Sequence, residues 1–158
     1  MLDPGKNYFL KSDINSFQKW SNQLDDYSQS GFISPGSEIF NIFKYRYLIR
    51  LNKNISLLED QSSTFNLDTN QTISYDIESK DWMSSTQEAN EYWERRLTDL
   101  LIRQFLNDED ENLEDAKEVL IKRFKNQLRL INQRDSQDIF QIYVCLLYTS
   151  DAADDIRR

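Results

Sequence analysis

The sequence predicts an all-α fold, an irregular bundle of about five helices with an extended strap or short hairpin around residues 62–84. Two observations carry this. Apolar residues recur three and four positions apart in four long stretches, and that rhythm is lost once, between Gln61 and Ser84. Helix-starting residues also stand where the stripes begin, at Ser12, Ser34-Pro35, Ser85 and Ser136.

Each element can be justified in order. Asp3-Pro4-Gly5 reads as a turn, followed by an apolar step through Tyr8, Phe9 and Leu10. Ser12 is the expected N-cap of a first helix reaching about Ser30, with Ile14, Phe17, Trp20, Leu24 and Tyr27 buried and Gly31 as its stop. Ser34-Pro35 places a capping hydroxyl before Pro at the first helical position. From Pro35 to about Asp60 the stripe is Phe40, Phe43, Tyr47, Leu51, Ile55 and Leu58.

Between Gln61 and Ser84, Phe65, Leu67, Ile73 and Tyr75 alternate with polar residues around Asp68-Thr69-Asn70. Two strands alone are marginal, so a strap across the bundle is favoured over a sheet, with Trp82 anchoring its return. Ser85 to Glu88 then resembles a capping box for a helix from Thr86 to Leu106. Trp93, Leu97, Leu100, Leu101 and Phe105 form one stripe there, and Tyr92, Ile102 and Leu106 lie on roughly the opposite side. An apolar residue set on two sides predicts a central helix with neighbours on both.

The acidic run Asp108 to Glu111 links to a helix from about Asn112 to Arg134, striped by Leu113, Ala116, Leu120, Phe124, Leu128 and Ile131. Ser136 opens a fifth, SQDIFQIYV.

Composition narrows the chemistry. The 158 residues carry 27 acids against 19 bases, a net charge of −8 that repels phosphate backbones, so no nucleic-acid partner is expected. No apolar run approaches the roughly 20 residues that cross a bilayer, so no transmembrane segment is expected. There is no His and a single Cys. That removes His-based catalytic triads and Cys-rich zinc sites, and three Gly leave no phosphate-cradling loop. The expectation is no catalytic, cofactor-binding or metal-binding residue, and no cofactor.

Several motifs have a sharper reading beside a plainer one. Asp108 to Glu111 lacks the Gly-punctuated ladder of a calcium loop and reads as a solvated lead into a helix. Glu91, Glu94, Arg95 and Arg96 read as exposed helical pairs rather than a buried network. Asn54-Ile55-Ser56 and Asn70-Gln71-Thr72 match the glycosylation pattern by chance. Trp20, Trp82 and Trp93 read as core rather than a peptide groove. Ser84-Ser85 near Lys80 lack the Gly-rich turn that a Ser–Lys nucleophile site needs.

From Cys145 the patterning stops. CLLYTSDAAD resembles the translation of a transposase-type sequencing adapter, so residues 145–158 are expected to be a non-native tail. Removing that tail takes away three acids and two bases, leaving 24 against 17. The expected domain is then 1–144, a helical unit incomplete at both ends.

Four blocks carry a family resemblance: LDPGKNYFLKSDINSF (Leu2 to Phe17), EIFNIFKYR (Glu38 to Arg46), EYWERRLTDLLI (Glu91 to Ile102) and SQDIFQIYV (Ser136 to Val144). In order and spacing they resemble the N-terminal helical region of tail-specific proteases, the carboxy-terminal processing peptidases of Gram-negative bacteria. The resemblance implies a periplasmic serine protease with a helical N-terminal region, a PDZ domain that engages substrate C-termini, and a Ser–Lys peptidase domain. It implies as partners the enzyme's own PDZ and peptidase domains, protein substrates and an adaptor lipoprotein. The catalytic Ser, the Lys and the substrate-carboxylate loop have no positions here. The alternative is a stand-alone helical scaffold without peptidase activity.

Overall fold

The computed structural model describes residues 2–20, 34–63, 65, 76–77, 79–107 and 112–134. Four α-helices occur among them: α1 (Lys11–Phe17), α2 (Ser34–Glu59), α3 (Thr86–Asn107) and α4 (Leu113–Gln133), with a 3₁₀ turn at Gln18–Trp20 after α1. No strand is present among the described residues; one isolated parallel bridge joins Leu10 to Met83. The expected fifth helix at 136–144, the centre of the strap and the tail at 145–158 lie outside the described residues.

The three long helices match their stripes. Leu51, Ile55 and Leu58 of α2, Leu97 and Leu101 of α3, and Ala116, Leu120 and Phe124 of α4 form one buried cluster. Its rim takes Tyr47, Leu100, Leu113 and Leu128 from the expected stripes, and Phe65 from the segment after α2. The side chains that leave water drive this assembly at roughly 1.5–3 kcal/mol each. α4 packs against both α2 and α3.

Two expectations are corrected. α3 is covered on its second side only in part: its buried row is Ala89, Trp93, Leu97 and Leu101, and Tyr92 packs against Leu10 and Met83, but Leu106 of the second side and Phe105 at the end of the first are 71% and 40% exposed. α4 also has neighbours in two directions, α2 and α3. The first helix is also shorter than the stripe to Tyr27 implied, and Ser12 is not its cap. α1 starts at Lys11 after Leu10 and is held by one distant and one local bond: Lys11 N–H donates to the Met83 carbonyl at 2.8 Å, and Leu10 N–H donates to Asp13 Oδ2 in the first turn at 2.9 Å. Residues 21–33, including Gly31, lie outside the described set.

The other ends follow local chemistry. Ser85 Oγ accepts from Glu88 N–H at 3.1 Å, as a cap should, but the Glu88 carboxylate reaches back to Ser84 N–H and Oγ at 2.7 and 2.6 Å rather than to Ser85. Those bonds hold the Glu88 carboxyl below its usual range. α2 stops without Gly: Asp60 Oδ1 accepts from Ser62 N–H at 2.9 Å and turns the chain. Asn112 and Asp115 form a reciprocal cap at the start of α4.

Asn54 lies fully buried in α2 beside Leu51, Ile55 and Leu58, and neither amide atom has a hydrogen-bond partner among the described residues. In the folded chain the Asn54 side chain of the Asn54-Ile55-Ser56 sequon is inaccessible. An unsatisfied buried amide costs about 1–3 kcal/mol, and Leu is similar in size. Asn54→Leu is therefore expected to raise the unfolding free energy by about 1–3 kcal/mol in urea. A fall in stability would mean that the amide is bonded, for instance through a buried water.

Candidate functional site

The polar chemistry of the fold gathers where the N-terminal loop wedges between α2 and α3. It begins at the Asp3-Pro4-Gly5 turn. The Asp3 carboxylate, 2% exposed, accepts three backbone N–H groups: Asn7 at 2.9 Å, Tyr8 at 2.8 Å and Phe9 at 3.0 Å. Lys6 N–H donates to the Asp3 carbonyl at 3.2 Å, and Lys6 sits at a φ of 50°, a left-handed conformation that a non-Gly residue holds only when its surroundings fix it. A side chain at Gly5 would meet the Asn7 amide, so the Asn7 side chain would have to shift from its bonded position to admit one.

Asn7 then ties the loop to the rest of the chain. Its side-chain oxygen accepts from Lys80 Nζ at 2.9 Å and from the Tyr92 hydroxyl at 2.8 Å, and its carbonyl accepts from Trp93 Nε1 at 2.9 Å. Lys80 also donates to the Gly5 carbonyl at 2.9 Å and lies 4.0 Å over the Tyr92 ring. Lys6 Nζ returns a bond to the Lys80 carbonyl. Residues 73 and more apart in sequence are thus bonded at one point, and the return of the strap is pinned there.

Tyr8 is the wedge itself. Its ring packs at 5.7 Å on Phe43, 4.7 Å on Tyr47 and 5.4 Å on Trp93. Burial first, then the charges of Tyr47 and Asp3 and a hydrogen bond with Tyr47, push its phenol far above the ordinary tyrosine value against the opposing Arg96 charge, so it is neutral throughout the physiological range. Phe9 continues the aromatic layer against Phe17, Phe43 and Trp82.

Beside the wedge is a pocket of about 200 Å³, walled by Asn7 and Tyr8 of the loop, Tyr45, Ile49 and Arg50 of α2, and Thr86 at the start of α3. Arg46, also on its wall, is neutralised by a two-point ion pair with Asp13, both contacts at 3.0 Å. Arg50 is not neutralised in this way. It is 7% exposed, donates to Asn90 Oδ1 at 2.9 Å, and stacks 5.7 Å from the Trp93 ring. Among the described residues no carboxylate lies within ion-pair distance of it. Burial pulls its guanidinium below the ordinary arginine value, and the more distant Glu94 charge opposes that.

The motifs singled out in the sequence do not converge. Trp93 is buried, Trp82 edges Phe9 and Trp20 stacks on Phe17, so the three tryptophans line no common groove. Lys80 is engaged by loop carbonyls, while Ser84 and Ser85 are engaged by Glu88, so no Ser–Lys pair forms. Glu91, Glu94 and Arg95 are exposed, and Arg96 instead donates to the Tyr92 hydroxyl at 3.2 Å and flanks Trp93. Asp108 to Glu111 and the Asn70 sequon lie outside the described residues. Asp3, Asn7, Arg46 and Arg50 were missed; the signal for Arg50 was its place inside the α2 stripe.

What this constellation provides is a bonded loop, an aromatic wedge and one buried cation. No nucleophile and base stand together among these residues. Comparison with known proteins places the chain: residues 1–150 match the family described as tail-specific protease N-terminal domain. The chain belongs to that family. It is also 29% identical over 144 residues to the tail-specific protease of Haemophilus influenzae, covering 90% of this chain and 20% of that protein. The chain thus spans about a fifth of the length of this curated relative. Within the tail-specific protease N-terminal domain, the LDPGKNYF block is the segment that forms the bonded loop and the wedge, and EYWERR supplies the Tyr92 and Trp93 that receive it. Among the described residues, no helix is long and apolar enough to cross a membrane.

Proposed function

We propose that this chain is the non-catalytic N-terminal helical region of a periplasmic tail-specific serine protease. In the whole enzyme, a PDZ domain and a Ser–Lys peptidase domain would follow and cleave proteins recognised by their C-termini. The work of this region is structural: it shapes the approach to the proteolytic chamber and offers a docking surface for an adaptor lipoprotein. The observation that carries this reading is the family match across residues 1–150. The geometry of the candidate site agrees with it, since Ser84, Ser85 and Lys80 are each committed to structural bonds.

The purified chain is expected to cleave no peptide substrate, with or without a serine-directed inhibitor. Inhibitor-sensitive peptidase activity would overturn the proposal. Reading the gene past Val144 separates the alternatives. Coding for a PDZ region and a peptidase domain supports the proposal, and a stop codon there supports a stand-alone helical scaffold.

We also propose that residues 145–158 are a non-native tail, supported by the resemblance of CLLYTSDAAD to adapter sequence. The family match ends at residue 150, inside this stretch, so the same read is decisive. Uninterrupted source coding for CLLYTSDAAD would overturn that reading.

A further inference from the structure

Arg50 is a buried guanidinium that opens on a pocket and meets no carboxylate within ion-pair distance among the described residues. Buried charges are normally paired, because removing an ion from water is costly unless an opposite charge replaces the lost hydration. Arg50 recovers part of that through Asn90 and the Trp93 face, both neutral, and through the Glu94 charge, which lies beyond ion-pair distance. Arg46, one turn earlier on the same helix, shows the contrast, since Asp13 satisfies it with two contacts.

The pocket's size limits what can enter. At about 200 Å³ it falls below the roughly 300–1,000 Å³ of sites for cofactors and drug-sized molecules, and suits one side chain. Its mouth is flanked by Tyr45 and Ile49, which are 61% and 46% exposed and lie one turn apart on α2. Large exposed side chains beside a pocket that holds a buried cation are a usual setting for an anchoring contact in a protein interface.

We propose that this pocket docks an acidic side chain of a protein partner, its carboxylate bonded to the free edge of Arg50 and the neighbouring apolar residues laid on Tyr45 and Ile49. The proposal does not depend on a peptidase domain following this chain. Charge complementarity supports the choice: in a chain of net charge −8, this is a buried cation without an ion-pair partner among the described residues, and an anionic group completes it.

The test is an NMR titration of the 158-residue chain at constant ionic strength, following the Arg50 Nε–H signal. The probes are N-acetyl-glutamate amide, N-acetyl-glutamine amide and N-acetyl-alanine with a free carboxylate. The glutamate probe is expected to shift Arg50 and the Tyr45 region saturably, and the glutamine probe to bind about tenfold more weakly, because charge-assisted bonds are roughly twice as strong as neutral ones. Equal shifts by the glutamate and glutamine probes would overturn the proposal. So would shifts reproduced by chloride, or saturable binding of the free terminus alone. Arg50→Gln should abolish the glutamate-specific shift of Tyr45. Because that variant also perturbs the core, Ile49→Asp is the second arm: it sits on the exposed rim, keeps Arg50, and should weaken glutamate binding several-fold. Unchanged binding in a folded Ile49→Asp chain would overturn the assignment.

Discussion

Asp3→Ala is expected to lower the unfolding free energy by about 3–5 kcal/mol, although Asp3 lies near the chain terminus and is remote from the main core. Its carboxylate accepts three successive loop N–H groups, and that of Phe9 is buried. A hydrogen bond to a charged acceptor contributes about 1.5–3 kcal/mol, and each buried donor left unmatched costs about 1–3. These are not additive, because the loop can relax and let water reach Asn7 and Tyr8, which caps the loss well below the arithmetic total. Asp3→Asn separates charge from geometry. It keeps one acceptor oxygen but turns an NH₂ toward backbone donors, so it should lose nearly as much as Ala. Urea unfolding of the three proteins measures this directly. A loss below about 1 kcal/mol for Ala would mean that water replaces the carboxylate at little cost.

How much of this was legible beforehand differs by element. The long helices were readable because a helix facing a core has to repeat apolar residues every three or four positions. Thus Tyr47 through Leu58 of the α2 stripe and Leu113 through Phe124 recur in the buried cluster or its rim, and Phe40 and Phe43 are buried outside it. The start of α1 was only half readable: the Asp13 carboxylate that takes the Leu10 N–H is local, but the Met83 carbonyl that takes the Lys11 N–H is 72 residues away, and no local pattern encodes that partner. α3 misled for a related reason. Helical spacing says which residues share a face but not what covers that face, and Phe105 and Leu106 are exposed. The candidate site was half-legible. Arg50 and Asn54 occupy positions 43, 47, 50, 54 and 58 in helical rhythm with Phe43, Tyr47 and Leu58, so two polar groups on the core-facing side could have been flagged. Asp3 was read as part of a turn, and its type was right. That its carboxylate would be buried depended on Tyr8 and Phe9 being drawn into an aromatic layer built from three separate segments.

Trp93→Ala is expected to cost about 3–5 kcal/mol, the range for deleting a large aromatic from a packed core. The ring is 4% exposed and joins everything that meets at the wedge: Tyr8 packs on it, Asn7 accepts from its Nε1, and Arg50 and Arg96 lie 5.7 and 5.6 Å from it. Removing it leaves a cavity between α2 and α3, an unmatched carbonyl at Asn7, and two guanidinium groups without the π-face between them. Each such cation–π contact is worth about 0.5–2 kcal/mol. Trp93→Phe restores a π-face and most of the volume but not the Nε1 donor, so it should lose about 1–2 kcal/mol. The sharper expectation concerns coupling. Asp3 and Trp93 touch different atoms of one loop, Asp3 fixing its fold and Trp93 its seat between the helices. Once either is removed, the loop has already left its place and the other has less to hold. The double variant Asp3→Ala, Trp93→Ala should therefore lose at least about 1 kcal/mol less than the two single losses combined. Strict additivity would mean that the turn and the wedge are independent, and that the loop stays seated without its carboxylate.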